Sequence, residues 1–159
     1  MVDRLNQNQR SALMREVKAK NTKPELIVRS TAHRLGYRFR LHVKDLPGTP
    51  DLVFPSRKKV IFVHGCFWHR HEACPKASMP ASNVAFWKAK FLRNTARDAR
   101  NETMLRAAGW ETLTIWECEA RRAMGLEVCL LDFLDGGGED AVERMAHGAK
   151  RPRQNFDLE

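Results

Sequence analysis

The chain has 159 residues, four cysteines and a formal net charge of +9. Its length allows one compact domain, and no stretch approaches the roughly 18 continuous apolar residues that a membrane span requires. The first ten residues lack the apolar core of a signal peptide, so we expect a cytoplasmic protein. In that compartment cysteines indicate metal binding or simple burial rather than disulfides.

Positive charge is concentrated in two segments. Residues 1–44 contain eleven Lys or Arg against three acids, and residues 86–106 contain six against two. Charge of this kind attracts a polyanion, whose binding releases counterions. A solubilising surface is the alternative reading, and a membrane surface ranks behind nucleic acid. We therefore expect a nucleic acid as the partner.

Two helices are predicted first along the chain. Residues 7–20 have apolar side chains at helical spacing among basic ones, which predicts a basic DNA-binding helix. Thr22 then has the character of an N-cap, with Glu25 closing a capping box. Gly36 ends this second helix. Its predicted buried side consists of Leu26, Ile27, Ala32 and Leu35.

Strands follow. Residues 37–41 alternate with period two, as a half-buried strand does, and residues 51–54 and 60–63 predict a hairpin. A helix over 84–108, a strand over 110–116 and a helix over 120–134 complete the pattern. This order predicts an α/β fold with a small mixed sheet flanked by helices. We expect a single domain over residues 1–135 and a flexible tail over 136–159.

A cluster of metal-type residues follows the second hairpin strand. Cys66, His71 and Cys74 lie within nine residues, and Cys118 ends a later strand that can return beside them. Three thiolates and one imidazole favour a closed tetrahedral zinc site with a structural role. His69 is an alternative to His71 as the imidazole ligand.

An acid and a histidine also fall at strand ends. Asp51 opens one hairpin strand and His64 closes the next, so the two can converge at one sheet edge. A carboxylate there can hold a hard divalent cation, and a histidine can activate water, as phosphodiester hydrolysis requires. Each residue alone has a plainer explanation, because Asp after Pro is common in turns and a lone His is usually structural.

These motifs together resemble the very-short-patch-repair (Vsr) DNA mismatch endonucleases over roughly residues 8–134. The resemblance rests on Arg10-Ser11-x-x-Met14-Arg15, Asn21-Thr22-x-Pro24-Glu25, Leu46-Pro47-Gly48-x-Pro50-Asp51, Phe62-Val63-His64-Gly65-Cys66-Phe67-Trp68-His69, Phe86-Trp87 with Asn94 and Arg97-Asp98, and Gly109-Trp110…Trp116-Glu117-Cys118. The most specific part is Gly-Cys-Phe-Trp-His followed by a distant Trp-Glu-Cys.

The resemblance implies a restriction-endonuclease-like fold and a magnesium-dependent enzyme that nicks DNA 5′ to the thymine of a T:G mismatch. Such mismatches arise when 5-methylcytosine deaminates, so the activity would start very short patch repair. The implied partner is double-stranded DNA with a T:G mismatch, bound by a monomer that does not act at membranes. A functional link to a cytosine methyltransferase and to mismatch-repair proteins is implied as well.

The resemblance also assigns residues. Asp51 and the Val63 carbonyl oxygen would bind magnesium, and Cys66, His71, Cys74 and Cys118 would bind zinc. His69 would transfer the proton, with His64 and Glu25 in the same catalytic site.

A T:G pair consists of normal bases, so such an enzyme must sense shape and the ease of unstacking. Phe67 and Trp68 are suited to wedge between base pairs, and Met14 on the basic first helix would enter from the other groove. The plainer alternative is that Phe67 and Trp68 are core residues.

Three features limit the transfer of roles. Val63 lacks the hydroxyl that some relatives have there, some relatives have an acid at the position of His64, and the second acid and lysine of restriction-type nucleases are absent near residues 62–64. Two rival functions stay open: a nuclease of the same fold with a different DNA target, and a zinc-stabilised DNA-binding module without catalysis.

Overall fold

A computed structural model describes residues 20–136. The predicted basic helix, with Met14, and the predicted tail lie outside the described residues except for Lys20 and Gly136 at their edges. Four α-helices are described: α1 (Lys23–Arg34), α2 (Val84–Ala107), α3 (Glu117–Ala120) and α4 (Ala123–Asp135).

The sheet has four strands: β1 (Arg40–Leu41), β2 (Leu52–Phe54), β3 (Lys59–His64) and β4 (Glu111–Trp116). They lie in the order β1-β2-β3-β4, with β1 and β3 antiparallel to β2 and β4 parallel to β3. The predicted small mixed sheet and its hairpin are therefore confirmed. Within residues 20–136, no helix is long and apolar enough to cross a bilayer.

Alternate residues of the strands face opposite helical layers, as the period of a strand requires. On one face, Leu52, Phe54, Ile61 and Ile115 pack in a buried cluster with α1 and α4. On the other face, Val53 and Val60 pack against Leu105 of α2. The sheet is thus covered on both sides, and the second face is the one that α2 approaches.

Helix α1 starts where the sequence predicts. Thr22 is the N-cap, its hydroxyl oxygen accepts from the Glu25 amide at 3.4 Å, and the Asn21 amide donates to Glu25 Oε2 at 2.9 Å. The predicted buried side of this helix is wrong in part. Leu26 and Ile27 are 50% and 37% exposed, whereas Val28 and Glu25 are buried.

The difference arises because the helix is rotated so that Glu25 and Val28 face the sheet. The capping bonds and the pairing with Arg29 compensate the buried Glu25 carboxylate, which periodicity of apolar residues alone does not reveal.

Two other element predictions need correction. The predicted strand over 37–41 is a strand only at Arg40–Leu41, because Tyr37 and Phe39 pack edge-on against Phe54 instead of extending the ladder. The predicted helix over 120–134 begins only at Ala123, as α4, because the chain turns at Arg121 and Arg122 after the separate short helix α3.

Leu105 joins α2 to the sheet, so truncating it should loosen that layer. Leu105→Ala is expected to lower the free energy of unfolding by about 2–5 kcal/mol, since it opens a cavity at a fully buried position. Leu92→Ala on the same helix is the matched control. At 71% exposure it should change that free energy by no more than about 0.5 kcal/mol. Urea denaturation followed by circular dichroism measures both.

Candidate active site

A cleft of about 630 Å³ lies at the end of the sheet where β2 begins and β3 and β4 end. Its position follows from the strand directions, because the antiparallel β2 starts beside the point where the other two strands finish. The cleft is lined by charged and polar side chains from every neighbouring element, among them Lys20, Glu25, His42, Asp51, His64, His69, Arg97, Asp98 and Glu102.

Asp51 directly precedes β2, and its carboxylate is largely buried. Its Oδ2 accepts a hydrogen bond of 2.7 Å from the Val63 amide of β3, and its side chain is only 17% exposed. Burial raises the pKa of Asp51 to about 6, the Val63 hydrogen bond opposes the rise, and the Glu25 charge adds to it. The carboxylate therefore lacks a cationic partner strong enough to offset its burial.

Two histidines that line the same cleft as Asp51 stack on each other. The rings of His64 and His69 lie 3.9 Å apart and within 12° of parallel, and His69 Nδ1 lies 2.5 Å from Asp98 Oδ2. Burial, and then the neighbouring His69 charge, lowers the pKa of His64 to about 4, so His64 is neutral near pH 7. Burial raises the pKa of Asp98, but the His69 hydrogen bond and nearby positive charges outweigh it, and the net shift is downward.

The ionised Asp98 determines which ring nitrogen of His69 carries the proton. A carboxylate can only accept, so His69 Nδ1 carries the proton and the ring directs Nε2 away from Asp98. A histidine held in this way by a carboxylate is the arrangement that general bases use in hydrolases.

A second polar group lies on the α1 side of the cleft. Glu25 is 3% exposed and accepts from Arg29 at 2.8 Å, and Arg29 also contacts His42 Nε2 at 2.8 Å. Ligand-type atoms of Glu25, His42 and Asp51 lie within 4.8 Å of one another. Burial, and then the Arg29 charge, lowers the pKa of His42. Glu25 thus caps α1 and faces the cleft as well.

The four predicted zinc ligands form a separate cluster. Ligand atoms of Cys66, His71, Cys74 and Cys118 lie within 4.8 Å of one another, and none of these cysteines is in a disulfide. His71 Nδ1 lies 3.6 Å from Cys66 Sγ and 3.3 Å from Cys118 Sγ. The structure places His71 here, while the alternative ligand His69 contacts Asp98.

These spacings suit a tetrahedral ion. A sulfur at about 2.3 Å and a nitrogen at about 2.0 Å from zinc lie roughly 3.5 Å apart, close to both observed separations. Burial raises the pKa of the Cys66 thiol to about 12, so an ion bound here must displace its proton. The thiol and imidazole donors are those that zinc prefers.

In the chain, Phe67 and Trp68 lie between Cys66 of the cysteine cluster and His69 of the cleft. Neither is fully buried: Phe67 packs edge-on against Trp87 and Phe91 at 5.3 and 5.1 Å, and Asn94 donates to the Trp68 carbonyl oxygen at 3.0 Å. Lys90 Nζ lies 5.1 Å from the Trp68 ring centroid. The pair is therefore a supported, partly exposed aromatic surface on the edge of a basic helix.

The structure brings together in one cleft the predicted residues Glu25, Asp51, Val63, His64 and His69. Sequence reasoning did not assign functions to Asp98 or His42. Asp98 gave a usable signal, since it lies in the motif Arg97-Asp98 of a long helix. His42 gave none, because it lies in a loop without periodicity.

Comparison with known proteins shows which family this chain belongs to. The model of the family described as "DNA mismatch endonuclease Vsr" matches residues 2–76. The type II nicking enzyme V.XorIIP of Xanthomonas oryzae pv. oryzae is 52% identical over 85% of this chain and 98% of its own length. The DNA mismatch endonuclease Vsr of Escherichia coli K12 is 38% identical over 76% and 77%. The type II nicking enzyme V.NaeI of Lentzea aerocolonigenes is 37% identical over 84% and 83%.

An acid–histidine cleft beside a basic helix, together with these relatives, places the chain in the class of DNA endonucleases. Within that class, it belongs to the DNA mismatch endonuclease Vsr family.

The raised pKa of Asp51 predicts a stability effect of known sign. Between its unfolded pKa of 3.8 and its folded pKa of about 6, the folded state binds more protons, so charged Asp51 destabilises the fold above that range. Asp51→Asn should therefore raise the free energy of unfolding at pH 7 by about 3 kcal/mol in buffer without added divalent cations. The gain should shrink to about 0.3 kcal/mol at pH 3.5, because the carboxyl is then mostly protonated in the unfolded state as well as in the folded state.

Asp45→Asn is the matched control, because Asp45 is an exposed acid of the same loop. It should change the free energy of unfolding by less than about 0.5 kcal/mol at either pH. Denaturant titration of the wild type and both variants at pH 7 and at pH 3.5 gives the four differences in free energy of unfolding. A destabilised Asp51→Asn protein at pH 7 would contradict the account of its burial.

Proposed function

We propose that this protein is a magnesium-dependent, zinc-stabilised endonuclease that nicks double-stranded DNA 5′ to the thymine of a T:G mismatch and so starts repair of deaminated 5-methylcytosine. The observation that carries the proposal is that Asp51 and the stacked His64 and His69 line one cleft, and that Phe67 and Trp68 directly precede His69 in the chain. The names of the relatives support it. The mixed sheet with helices on both faces supports a restriction-endonuclease-like fold.

Asp51 suits a hard divalent cation. The N–H and C=O of a strand residue point to the same edge of the strand, so the Val63 carbonyl lies on the side where the Val63 amide contacts Asp51. Carboxylate and carbonyl oxygens are the ligands that magnesium prefers. When bound, magnesium supplies positive charge for the scissile phosphate and the leaving oxygen. Glu25 adds a second carboxylate at the same end of the cleft.

His69 is the proposed general base. Its Nε2 accepts a proton from the attacking water, and Asp98 stabilises the positive ring that results. His64 is neutral at pH 7, so its stacking on His69 adds no fixed positive charge that would oppose this proton transfer. His64 also offers a ring nitrogen to the phosphate or to the water. Arg97 lines the same cleft and contacts Asp98 at 3.2 Å, where it can attract the DNA backbone.

Phe67 and Trp68 form the proposed wedge. Intercalation unstacks a base step at a cost of roughly a few kcal/mol, so the wedge must not yield when it enters. Trp87 and Phe91 are buried beneath it and give it that support. Met14 is proposed to enter from the opposite groove.

Zinc at Cys66, His71, Cys74 and Cys118 is proposed to hold the loop that carries the wedge. That loop has few buried apolar side chains, so its conformation depends on the cluster. His71 stacks on Trp116 at 4.3 Å, which ties the same cluster to the end of β4. The protein is proposed to act on nucleoid DNA as a monomer, with functional links to a cytosine methyltransferase and to mismatch-repair proteins.

A nicking assay tests the activity. With magnesium, the protein should nick the T strand of a T:G duplex and leave the matched T:A duplex intact. Asp51→Ala should abolish nicking while binding to the T:G duplex persists within about threefold, since one cation-binding carboxylate is lost and the basic surface stays.

Three other results would contradict the proposal in different ways. Equal nicking of matched and mismatched duplexes indicates a nuclease with another target. Cleavage that survives in Asp51→Ala removes the assigned cation site. Absence of nicking by wild-type protein of full zinc content, with binding retained, indicates a DNA-binding module.

The zinc assignment has its own test. Cys118→Ser should lose bound zinc and lower the midpoint of thermal unfolding, because a structural site contributes its binding energy to folding. Cys129→Ser on α4 is the matched control and should keep one zinc per chain, since Cys129 lies outside the cluster. Elemental analysis and calorimetry of both variants measure this. Full zinc content in Cys118→Ser would overturn the ligand set.

A further inference from the structure

The cleft contains a histidine that the proposed reaction does not use. His42 lies in the loop after β1, with its side chain only 17% exposed and its backbone in the left-handed region at φ 47°. It sits between two carboxylates: Nε2 lies 3.9 Å from Glu25 Oε2, and Nδ1 lies 3.9 Å from Asp51 Oδ1. A side chain of this size is held in an uncommon backbone conformation only by its surroundings.

Arg29 determines which ring nitrogen of His42 carries the proton. A guanidinium can only donate, and Arg29 lies 2.8 Å from His42 Nε2. Nε2 must therefore be the acceptor, and the neutral ring carries its hydrogen on Nδ1. Arg29 is itself fixed by Glu25 at 2.8 Å and by Asn21 at 2.7 Å. The tautomer of His42 is thus set by a chain of bonds that starts at the cap of α1.

This tautomer points a donor at Asp51. The Val63 amide fixes Oδ2 of Asp51, but a carboxylate anchored at one oxygen can still swing about that bond. Oδ1 faces the Nδ1–H of His42 across 3.9 Å, about 1 Å longer than a hydrogen bond. A small rotation of the ring or one bridging water closes this gap.

We propose that His42 is a positioning residue of the Asp51 cation site, whose Nδ1–H holds Oδ1 while the Val63 amide holds Oδ2. This inference rests on the proposed function, since it concerns how that same carboxylate receives a divalent cation. Hydrogen bonds of this kind fix the orientation of metal-binding carboxylates, and their loss typically costs about 10–100-fold in metal affinity.

The same geometry excludes a direct bond from His42 to the cation. The atoms of Glu25, His42 and Asp51 lie close enough to bind one ion together. His42 could join such a set only through an unprotonated nitrogen, yet Nε2 is occupied by Arg29 and Nδ1 bears the hydrogen. The ring therefore acts on Asp51 and not on the ion.

The test compares two variants that both tolerate the backbone of His42. Glycine and asparagine adopt positive φ with little strain, so neither confounds the result by distorting the loop. His42→Gly removes the donor, whereas the Asn amide in His42→Asn places one at the same number of bonds from Cβ as Nδ1. Binding of Mn²⁺ to the zinc-loaded full chain, followed by electron paramagnetic resonance, is the readout.

His42→Gly should weaken Mn²⁺ binding by about 10–100-fold, and His42→Asn should recover most of the affinity. Zinc content and the thermal midpoint should match wild type in both. Raising Mg²⁺ should restore nicking by His42→Gly, because the defect is in affinity.

Asp51→Asn separates the failure of this inference from failure of the cation site. If Asp51→Asn binds Mn²⁺ as wild type does, the cation site itself is misplaced. If Asp51→Asn loses binding while His42→Gly keeps wild-type affinity, only the role of His42 is overturned.

Two spectroscopic results address the tautomer. Long-range ¹H–¹⁵N correlation should find the His42 proton on Nδ1. Spin-echo modulation from a directly bound imidazole nitrogen in the Mn²⁺ complex would make His42 a ligand and overturn the proposal.

Discussion

The site depends on the pairing of β3 with two neighbours of opposite direction. β2 runs antiparallel to β3 and β4 runs parallel to it, with His64 in register with Trp116. Because of these directions, the start of β2 and the ends of β3 and β4 meet at one end of the sheet. Asp51 and Cys118 are 67 residues apart in sequence, yet each lies next to the end of β3. The cleft and the cysteine cluster both follow from this pairing.

The loop after β3 is held by specific contacts more than by a core. Only Cys66 and Ala77 are buried among residues 65–83. The cysteine–histidine cluster, the aromatic contacts of Phe67 and the bond from Asn94 to Trp68 fix its shape instead. Such a loop keeps Phe67 and Trp68 partly exposed without letting them move freely, as the proposed wedge requires.

Burial shifts the pKa values of two groups in the cleft in opposite directions. It raises the pKa of Asp51 and lowers the pKa of His64, so each group resists its charged form. A folded chain that maximised stability would not bury a carboxylate without a cationic partner. The structure keeps this one anchored by the Val63 amide, and the cost is relieved when positive charge enters the cleft. His69, unlike its stacked neighbour, has a carboxylate partner in Asp98.

Local patterns in the sequence determined the hairpin, the cap at Thr22 and the helix before Gly109, since hydrogen bonds and side-chain periodicity over a few residues decide such elements. Asp51, His64 and the cysteine cluster could also be chosen from the sequence, because rare side chains follow strand ends. Glu25, Val63 and His69 were assigned through the resemblance to the Vsr family. Only the tertiary structure decided which face of α1 is buried, that His71 and not His69 joins the cysteines, and that Asp98 and His42 belong to the cleft. These outcomes depend on how a helix rotates and where a distant element packs, and those are set by contacts between residues far apart in the chain.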